Sequence, residues 1–246
     1  MNDLVFISGS TSIKKLPEPV INSLNEIIAK EMTVLVGDAK GVDSMVQDFM
    51  KMCQYRDVVV YSIYDVPRYK ASDLFKNKTI SVPNTMKSER ERQTFKDIAM
   101  TKDSNYCLVV WDGHSKGSYA NVMRSIKLDK PARVYLEERK EYLNKNEITK
   151  ENIEDIYRQN CGYVAVEVID FLQQNGVEKF TKTKDLNKYL IEQGMIIKEG
   201  AKYFPTDKAK DLIIMEYYKG KPSKIKFTND FIIWIEEKAA IKETLF

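Results

Sequence analysis

The chain has 246 residues and 43% of them are hydrophobic, which is enough for one large domain or two smaller ones with a buried core. Its 39 basic and 36 acidic residues leave a net charge of only +3, so the overall charge does not require a nucleic-acid partner and any basic site must be local. One histidine and three widely separated cysteines argue against a zinc site and a disulfide framework. We therefore expect neither a metal nor a cofactor.

The N-terminal stretch MNDLVFISGS has no basic segment followed by a long apolar run, so we expect no signal peptide. No stretch of the sequence reaches the roughly 20 apolar residues that a membrane-spanning helix needs. These features predict a cytoplasmic protein with reduced cysteines and no membrane partner.

Apolar runs alternate with helical patterns in the first half of the chain. Five runs predict buried strands, at residues 4–8, 33–37, 57–63, 106–111 and 132–136. Helices are predicted to begin at Pro17, beside Asp43 as an N-cap, at Ser88 with Glu91 completing a capping box, and near Gly117. Strands that alternate with helices predict an α/β fold, a Rossmann-like parallel sheet with helices on both faces.

Two segments carry no clear periodicity. Residues 64–87 are interpreted as a long surface segment with one short helix at most. Residues 140–151 belong to a polar run and are interpreted as the connection between a first domain, 1–139, and a second domain, 152–246.

The second domain is predicted to be mostly helical and to resemble a winged helix. Amphipathic patterns predict helices within 162–176, 181–196, 207–217 and 228–240, with a short strand or hairpin after helices.

Three predicted strands end in polar turns that contain glycine, at residues 8–12, 37–41 and 112–118. In a sheet of this kind, ligands bind beyond the carboxyl ends of the strands. Glycine lets the backbone approach a ligand closely, and a helix N-terminus behind it favours a phosphate. A tight turn also needs such residues for its own geometry, and none of the three is a Walker motif or a complete GxGxxG.

The candidate ligand-binding residues lie in these turns and on the helices beside them. They are Gly9, Ser10, Thr11, Gly37, Asp38, Ala39, Gly41, Arg90, Asp112, Gly113, Ser115, Lys116, Gly117, Ser118 and Asn121. Arg90 is included because it precedes the fourth predicted strand and is a candidate for a phosphate contact. His114 is either a functional residue or an exposed loop histidine without a role. Trp111 either stacks on a base or packs in the core.

The stretches VFISGSTSI, TVLVGDAKGVDSMVQ and ERQTFKDIAMTKDSNYCLVVWDGHSKGSYANVM together resemble the SLOG superfamily over residues 3–137. This superfamily of Rossmann-like domains includes DprA-like proteins, Lonely-guy phosphoribohydrolases and domains of phage and bacterial conflict systems. The most specific features are Asp103 and the W-D-G-x-S-x-G-[TS] turn from Trp111 to Ser118. The resemblance implies a site for a nucleotide or a nucleotide-derived molecule.

One position departs from the hydrolytic relatives, which carry G-T-x-x-E with a catalytic glutamate. The same spacing from Gly117 places Asn121 there, and an amide cannot act as a carboxylate nucleophile or general acid. Asn121 therefore favours ligand binding over glycosidic cleavage, and we assign no catalytic residue. Glu89, Glu91 and Asp97 are the carboxylates that could replace the glutamate.

The second domain resembles the C-terminal domain of KilA-type phage antirepressors in a short stretch. The matching residues are Asp185, Leu186, Asn187, Leu190, Gly194, Tyr203, Pro205 and Thr206. The resemblance implies a winged helix that can read DNA. However, residues 151–246 contain 15 basic and 16 acidic residues, which is unfavourable for phosphate binding. Lys219, Lys221, Lys224 and Lys226 form one local basic stretch.

The sequence therefore predicts a homo-oligomeric binding protein that senses or sequesters a nucleotide-derived small molecule. A phage or antiviral defence setting agrees with both resemblances. Two alternatives stay open at this point: a nucleotide or nucleoside N-glycosidase or glycosyltransferase, and a DNA-binding regulator. DNA is the less favoured partner of the second domain.

Overall fold

The computed structural model describes residues 2–218 and 220–240. The chain divides into two compact units, Met1–Glu154 and Asp155–Phe246, which are called the first and second unit below. Within the described residues, no helix combines the length and the apolar character needed to cross a membrane.

Among the described residues, the first unit contains seven strands and four complete α-helices. The strands are β1 (Leu4–Gly9), β2 (Thr33–Val36), β3 (Val58–Ser62), β4 (Lys76–Thr79), β5 (Tyr106–Trp111), β6 (Ala132–Leu136) and β7 (Glu141–Tyr142). The helices are α1 (Glu18–Ala29), α2 (Val42–Met52), α3 (Glu89–Asp103) and α4 (Lys116–Lys127). The helix α5 (Lys150–Cys161) begins in the first unit and ends in the second.

The seven strands form one sheet in the order β4-β3-β2-β1-β5-β6-β7. All neighbours are parallel except β6 and β7. Val5 and Ile7 of β1 pack with residues of α1 and α2, whereas the intervening Phe6 packs with Met100 of α3. Alternate residues of the central strand therefore face opposite helical layers, and the predicted Rossmann-like α/β fold is confirmed.

The predicted start of α3 is also confirmed. The Ser88 hydroxyl accepts from the Glu91 backbone N–H at 3.2 Å, and the Glu91 carboxylate accepts from the Ser88 N–H at 3.1 Å. This reciprocal pair satisfies two backbone donors that a helix N-terminus otherwise leaves unpaired.

Two strands at the edges of the first sheet were not predicted. The surface segment predicted at 64–87 contains β4, whose four residues are all exposed and include no apolar side chain, so it had no detectable pattern. Residues 140–151, predicted as a connection, contain β7. Leu143 beside it is buried, and the Tyr142 ring packs edge-on against Tyr135 with 5.5 Å between centroids. The first part of the polar run therefore belongs to the sheet.

The second unit combines helices with two antiparallel hairpins. Its elements after α5 are α6 (Ala165–Gln174), α7 (Thr183–Glu192), β8 (Ile196–Glu199), β9 (Lys202–Pro205), β10 (Ile213–Tyr218), β11 (Lys221–Phe227) and α8 (Asn229–Ala240). Leu172, Leu186, Phe227 and Phe231 are fully buried in its core.

The helix predicted at 207–217 is wrong. Only Asp207–Ala209 forms a short 3-10 helix, and β10 pairs with β11 across a turn that contains Gly220 at φ 74°. Short apolar runs fit a strand as well as a helix, and the two consecutive isoleucines favour a strand.

The basic stretch predicted near this hairpin is partly neutralised. Lys224 and Lys226 each lie 3.3 Å from the carboxylate of Glu216. Lys219 lies outside the described residues.

Candidate functional site

The three glycine-containing turns meet at one edge of the first sheet. β1 pairs directly with β2 and with β5, so the turns that follow these strands lie side by side. A cavity of about 200 Å³ opens at this edge. The predicted site residues that line it are Gly9, Thr11 and Ala39 from the first two turns, and Ser115, Gly117, Ser118 and Asn121 from the third turn and α4.

Several of the other predicted residues shape the turns. Ser10 Oγ lies 3.1 Å from Ser118 Oγ and accepts from the backbone N–H of Asp112 at 3.1 Å, so it joins the first turn to the third. The Asp112 carboxylate accepts from the backbone N–H groups of His114 at 3.0 Å and Ser115 at 2.7 Å. Burial alone would raise the pKa of Asp112, but these hydrogen bonds and one from Ser12 hold it below its usual value.

Glycine occupies these positions in the turns for different physical reasons. A Cβ on Gly9 would lie 2.5 Å from the Val110 carbonyl oxygen, so protein packing alone requires glycine there. A Cβ on Gly117 would meet nothing closer than Ser115 Oγ at 4.0 Å. Gly41 and Gly113 have positive φ angles of 86° and 80°. Gly117 therefore differs from Gly9, because a side chain at position 117 would occupy open space instead of striking protein.

Two helices begin at the cavity without a side-chain cap. α2 follows Gly41 and α4 follows Ser115, and neither of these residues caps its helix through a side-chain hydrogen bond. The backbone N–H of Tyr119 is bonded to the Ser115 carbonyl at 3.0 Å, so the N–H groups before Tyr119 lie in the unpaired first turn of α4. Such N–H groups and the helix dipole favour an anionic group.

A network of charged side chains lies at the cavity, and Arg68, Lys96 and Asp97 of this network line it. The fully buried Asp38 carboxylate is 2.7 Å from Arg68 and 3.6 Å from the ammonium of Lys96. Lys96 is only 3% exposed and is also 3.6 Å from Asp97, which in turn lies 3.8 Å from Arg124. The predicted site residue Asp38 therefore anchors two cations and does not itself line the cavity.

Burial dominates the acidity of the two carboxyl groups that line the cavity. It raises the pKa of Asp43 to about 6, although the charge of Lys96 acts in the opposite direction. Burial also raises the pKa of Asp97, against the charges of Lys96 and Arg124. A group with a perturbed pKa in a cleft is a candidate for function.

Two further polar groups face this space. The Ser8 hydroxyl lies at the end of β1, lines the cavity, and has no hydrogen-bond partner within the described part of the chain; the residue is 5% exposed. An unpaired buried hydroxyl costs about 1–3 kcal/mol. Asn121 is 6% exposed, and its Oδ1 accepts from Arg124, so it presents its amide N–H donors. A ligand can satisfy both groups.

Other predicted residues lie elsewhere. Arg90 is exposed on α3 and is not part of the cavity lining, and Lys116 is exposed at the start of α4. Trp111 is fully buried and donates from Nε1 to the Ser115 carbonyl at 3.2 Å, so it belongs to the core. The Glu89 carboxylate accepts from Tyr64 at 2.6 Å and Gln93 at 2.8 Å, outside the lining. The described residues contain no cluster of metal-ligating side chains.

Sequence reasoning missed Ser8, Arg68 and Lys96 as cavity residues. Arg68 lies in a segment without periodicity, and no local pattern connects it to Asp38. Lys96 had a detectable signal, because it shares a buried helix face with Met100, four residues later. A lysine on the apolar face of a helix indicates a buried charge with a partner.

A larger cavity, of about 1,040 Å³, lies at the opposite edge of the sheet. Its lining includes Asp3, Tyr106 and Ala132, which are at the amino ends of β1, β5 and β6. Ligands of open α/β sheets bind beyond the carboxyl ends of the strands. The smaller cavity therefore takes precedence as the candidate site.

No protein-family model and no curated protein sequence matches the chain. Among solved structures, one of DNA processing protein A from Helicobacter pylori, described as binding single-stranded DNA, is similar with a TM-score of 0.46 at 16% identity. That similarity covers 70% of this chain and 81% of the other. A molybdenum cofactor binding protein from Rippkaea orientalis is similar with a TM-score of 0.44 at 11% identity, over 70% of this chain and 98% of the other.

Proposed function

We propose that the first unit binds a nucleotide-derived small molecule in the cavity at the ends of β1, β2 and β5, and so senses or sequesters it. The observation that carries this proposal is the open space beside Gly117, at the uncapped N-terminus of α4, in a cavity that the unpaired hydroxyl of Ser8 also lines. A Cβ-free backbone at a helix N-terminus suits a phosphate, and the buried polar groups suit hydroxyl or amide groups of the same ligand.

The size of the cavity limits how the ligand binds. Pockets that enclose a drug-sized ligand usually measure about 300–1,000 Å³. With about 200 Å³, this cavity holds one group of a nucleotide, and the rest of the ligand extends along the surface of the turns.

The first experiment identifies what copurifies with the protein, by extraction and mass spectrometry. Calorimetry then measures binding of AMP, cyclic AMP and ADP-ribose to the wild type and to Gly117→Val. The variant is expected to keep its fold, because the added side chain meets open space, and to lose binding. Lys127→Ala, at the exposed end of the same helix, is the control. Equal affinities of the wild type and Gly117→Val for these nucleotides would contradict the proposal that the ligand binds beside Gly117.

A second candidate function is cleavage or transfer at an N-glycosidic bond. It is favoured by Asp43 and Asp97, two carboxyl groups with raised pKa values that line the same cavity. Asn121 opposes it, because it occupies the position of the catalytic glutamate in the hydrolytic relatives. We expect no enzymatic release of free base from nucleoside monophosphates. Turnover that disappears in Asp97→Asn, in a variant that still folds, would assign the protein to this enzyme class.

For the second unit we propose a winged-helix-like module that transmits the binding event or builds a homo-oligomer. Its near-neutral charge and the pairing of Lys224 and Lys226 with Glu216 support protein contacts over DNA contacts. A phage or bacterial defence setting agrees with the resemblances of both halves. A DNA-binding regulator is the alternative, and a low-salt mobility-shift assay distinguishes the two.

A further inference from the structure

Three neighbouring carboxyl groups, Asp43 and Asp97 in the cavity lining and Asp38 outside it, are unequally satisfied. Asp38 accepts from the Arg68 side chain at 2.7 Å, the Arg68 backbone N–H at 3.1 Å and Ser62 at 2.8 Å. Asp97 lies near two cations, Lys96 at 3.6 Å and Arg124 at 3.8 Å. Asp43 accepts one long hydrogen bond, from the Ala39 N–H at 3.3 Å, and forms no ion pair with any residue that the structure describes.

The fold keeps space open around this under-bonded carboxylate. α2 positions Asp43 in its first turn, at the cavity wall. A Cβ on Gly37 would lie 2.8 Å from Lys96 Nζ and still closer to the Asp43 carboxylate. Glycine at position 37 is therefore required for Asp43 and Lys96 to occupy their places.

The charges around Asp43 form a network of ion pairs in which positive and negative groups nearly cancel. Lys96 and Asp97 on α3 and Asp38 after β2 act on Asp43 directly, while Arg68 after β3 pairs with Asp38 and Arg124 on α4 pairs with Asp97. An anionic ligand group placed beside Asp43 would have no unpaired cation to meet. A group that donates hydrogen bonds would supply what the carboxylate lacks.

We propose that Asp43 is the specificity-determining residue of the cavity: its ionised carboxylate accepts hydrogen bonds from a hydroxyl or N–H group of the ligand, and binding requires that ionised state. This inference rests on the proposed function. Burial raises the pKa of Asp43 to about 6. Binding therefore releases a proton in slightly acidic solution, and the affinity falls as the pH is lowered.

The test is calorimetry with ADP-ribose as the probe, since its diester phosphates do not titrate near pH 6. With a pKa of about 6, the ionised fraction of Asp43 changes about tenfold between pH 5 and pH 7, so the affinity is expected to rise about tenfold. Near pH 6, wild-type protein is expected to release about half a proton per ligand, which titrations in two buffers of different ionisation enthalpy measure. This proton count needs no variant.

Asp43→Asn, which cannot ionise at this position, is expected to bind ADP-ribose at pH 7 at least as weakly as the wild type does at pH 5, with no dependence on pH. Asp48→Asn, on the exposed side of the same helix, is the matched control and keeps the wild-type profile. Wild-type affinity that is equal at both pH values, or proton uptake on binding, overturns the role of Asp43 and leaves the proposed function standing. Absence of binding of ADP-ribose, AMP and cyclic AMP at either pH overturns both.

Discussion

The guanidinium of Arg68 donates to the Asp38 carboxylate at 2.7 Å, in an ion pair that is 40% exposed at the arginine and fully buried at the aspartate. Burial alone would raise the pKa of Asp38, but the hydrogen bonds from Arg68 and Ser62 and the charge of Lys96 together hold it below its usual value. The pair fastens the segment after β3 to the turn after β2, at the wall of the cavity.

Removing this partner leaves a buried carboxylate short of a hydrogen bond. Arg68→Met is expected to lower the free energy of unfolding by about 1–3 kcal/mol at pH 7, measured by urea denaturation. Because the folded-state pKa of Asp38 is lowered, the stabilisation is present at neutral pH and is lost as the pH falls through that pKa. The deficit of the variant should therefore shrink in acid. Arg90→Met, an exposed arginine on α3, is the control and should stay within about 0.5 kcal/mol of the wild type.

Gly117→Ala is expected to separate stability from binding. The residue lies in the first turn of α4 and its missing Cβ faces open space, so alanine should raise the free energy of unfolding by about 0.5–1 kcal/mol. The same methyl group should weaken the affinity for AMP or ADP-ribose in calorimetry. Ala120→Gly, on the same helix and outside the cavity lining, should do the reverse, with lower stability and unchanged affinity. A Gly117→Ala protein that is less stable would show that glycine is needed there for folding.

Asp43→Asn is expected to stabilise the protein at neutral pH. Burial raises the folded-state pKa of Asp43 from 3.8 to about 6, so the folded state binds more protons than the unfolded state between about pH 4 and pH 6. The free energy of unfolding of the wild type therefore falls as the pH rises through that window. The variant avoids this loss and should gain about 1–3 kcal/mol above pH 6.

The gain of Asp43→Asn should vanish below about pH 4, where Asp43 is protonated in both states. Urea denaturation at several pH values measures it, with the exposed Asp73→Asn as the control. A loss of stability at pH 7 would show that the ionised carboxylate is favourable where it lies.

The five apolar strands could be predicted from local sequence pattern, because buried strands are continuous apolar runs. The meeting of the three turns could be predicted because the carboxyl ends of parallel strands lie at one edge of the sheet. Local pattern was not enough for β4, whose exposed residues depend on neighbouring β3 for their hydrogen bonds. The pairing of Arg68 with Asp38 joins residues 30 positions apart and depends on the path of an irregular segment. Such tertiary relationships leave no periodic trace in the sequence.

The charges of the second unit do not favour binding to nucleic acid. The lysines of α7 and β11 are the candidates for phosphate contacts, yet Lys188 lies 3.9 Å from Glu192, and both Lys224 and Lys226 lie 3.3 Å from Glu216. Exposed ion pairs of this kind are weak, but each nearby carboxylate reduces the potential that attracts a phosphate. We expect no tight binding of double-stranded DNA by the full chain at low salt.

A mobility-shift assay across a series of salt concentrations measures this directly. Binding that neutralises several phosphates weakens steeply with salt, with a slope set by the number of contacts, so even a modest interface is recognisable. Tight and salt-sensitive binding that is lost in Lys184→Glu would identify α7 as a recognition helix and favour the regulator. Light scattering at several protein concentrations tests the alternative, because self-association through the second unit raises the mean mass with concentration whether or not DNA is present. A strictly monomeric protein that also fails to shift DNA would remove oligomer building as the role of this unit and leave transmission to another protein.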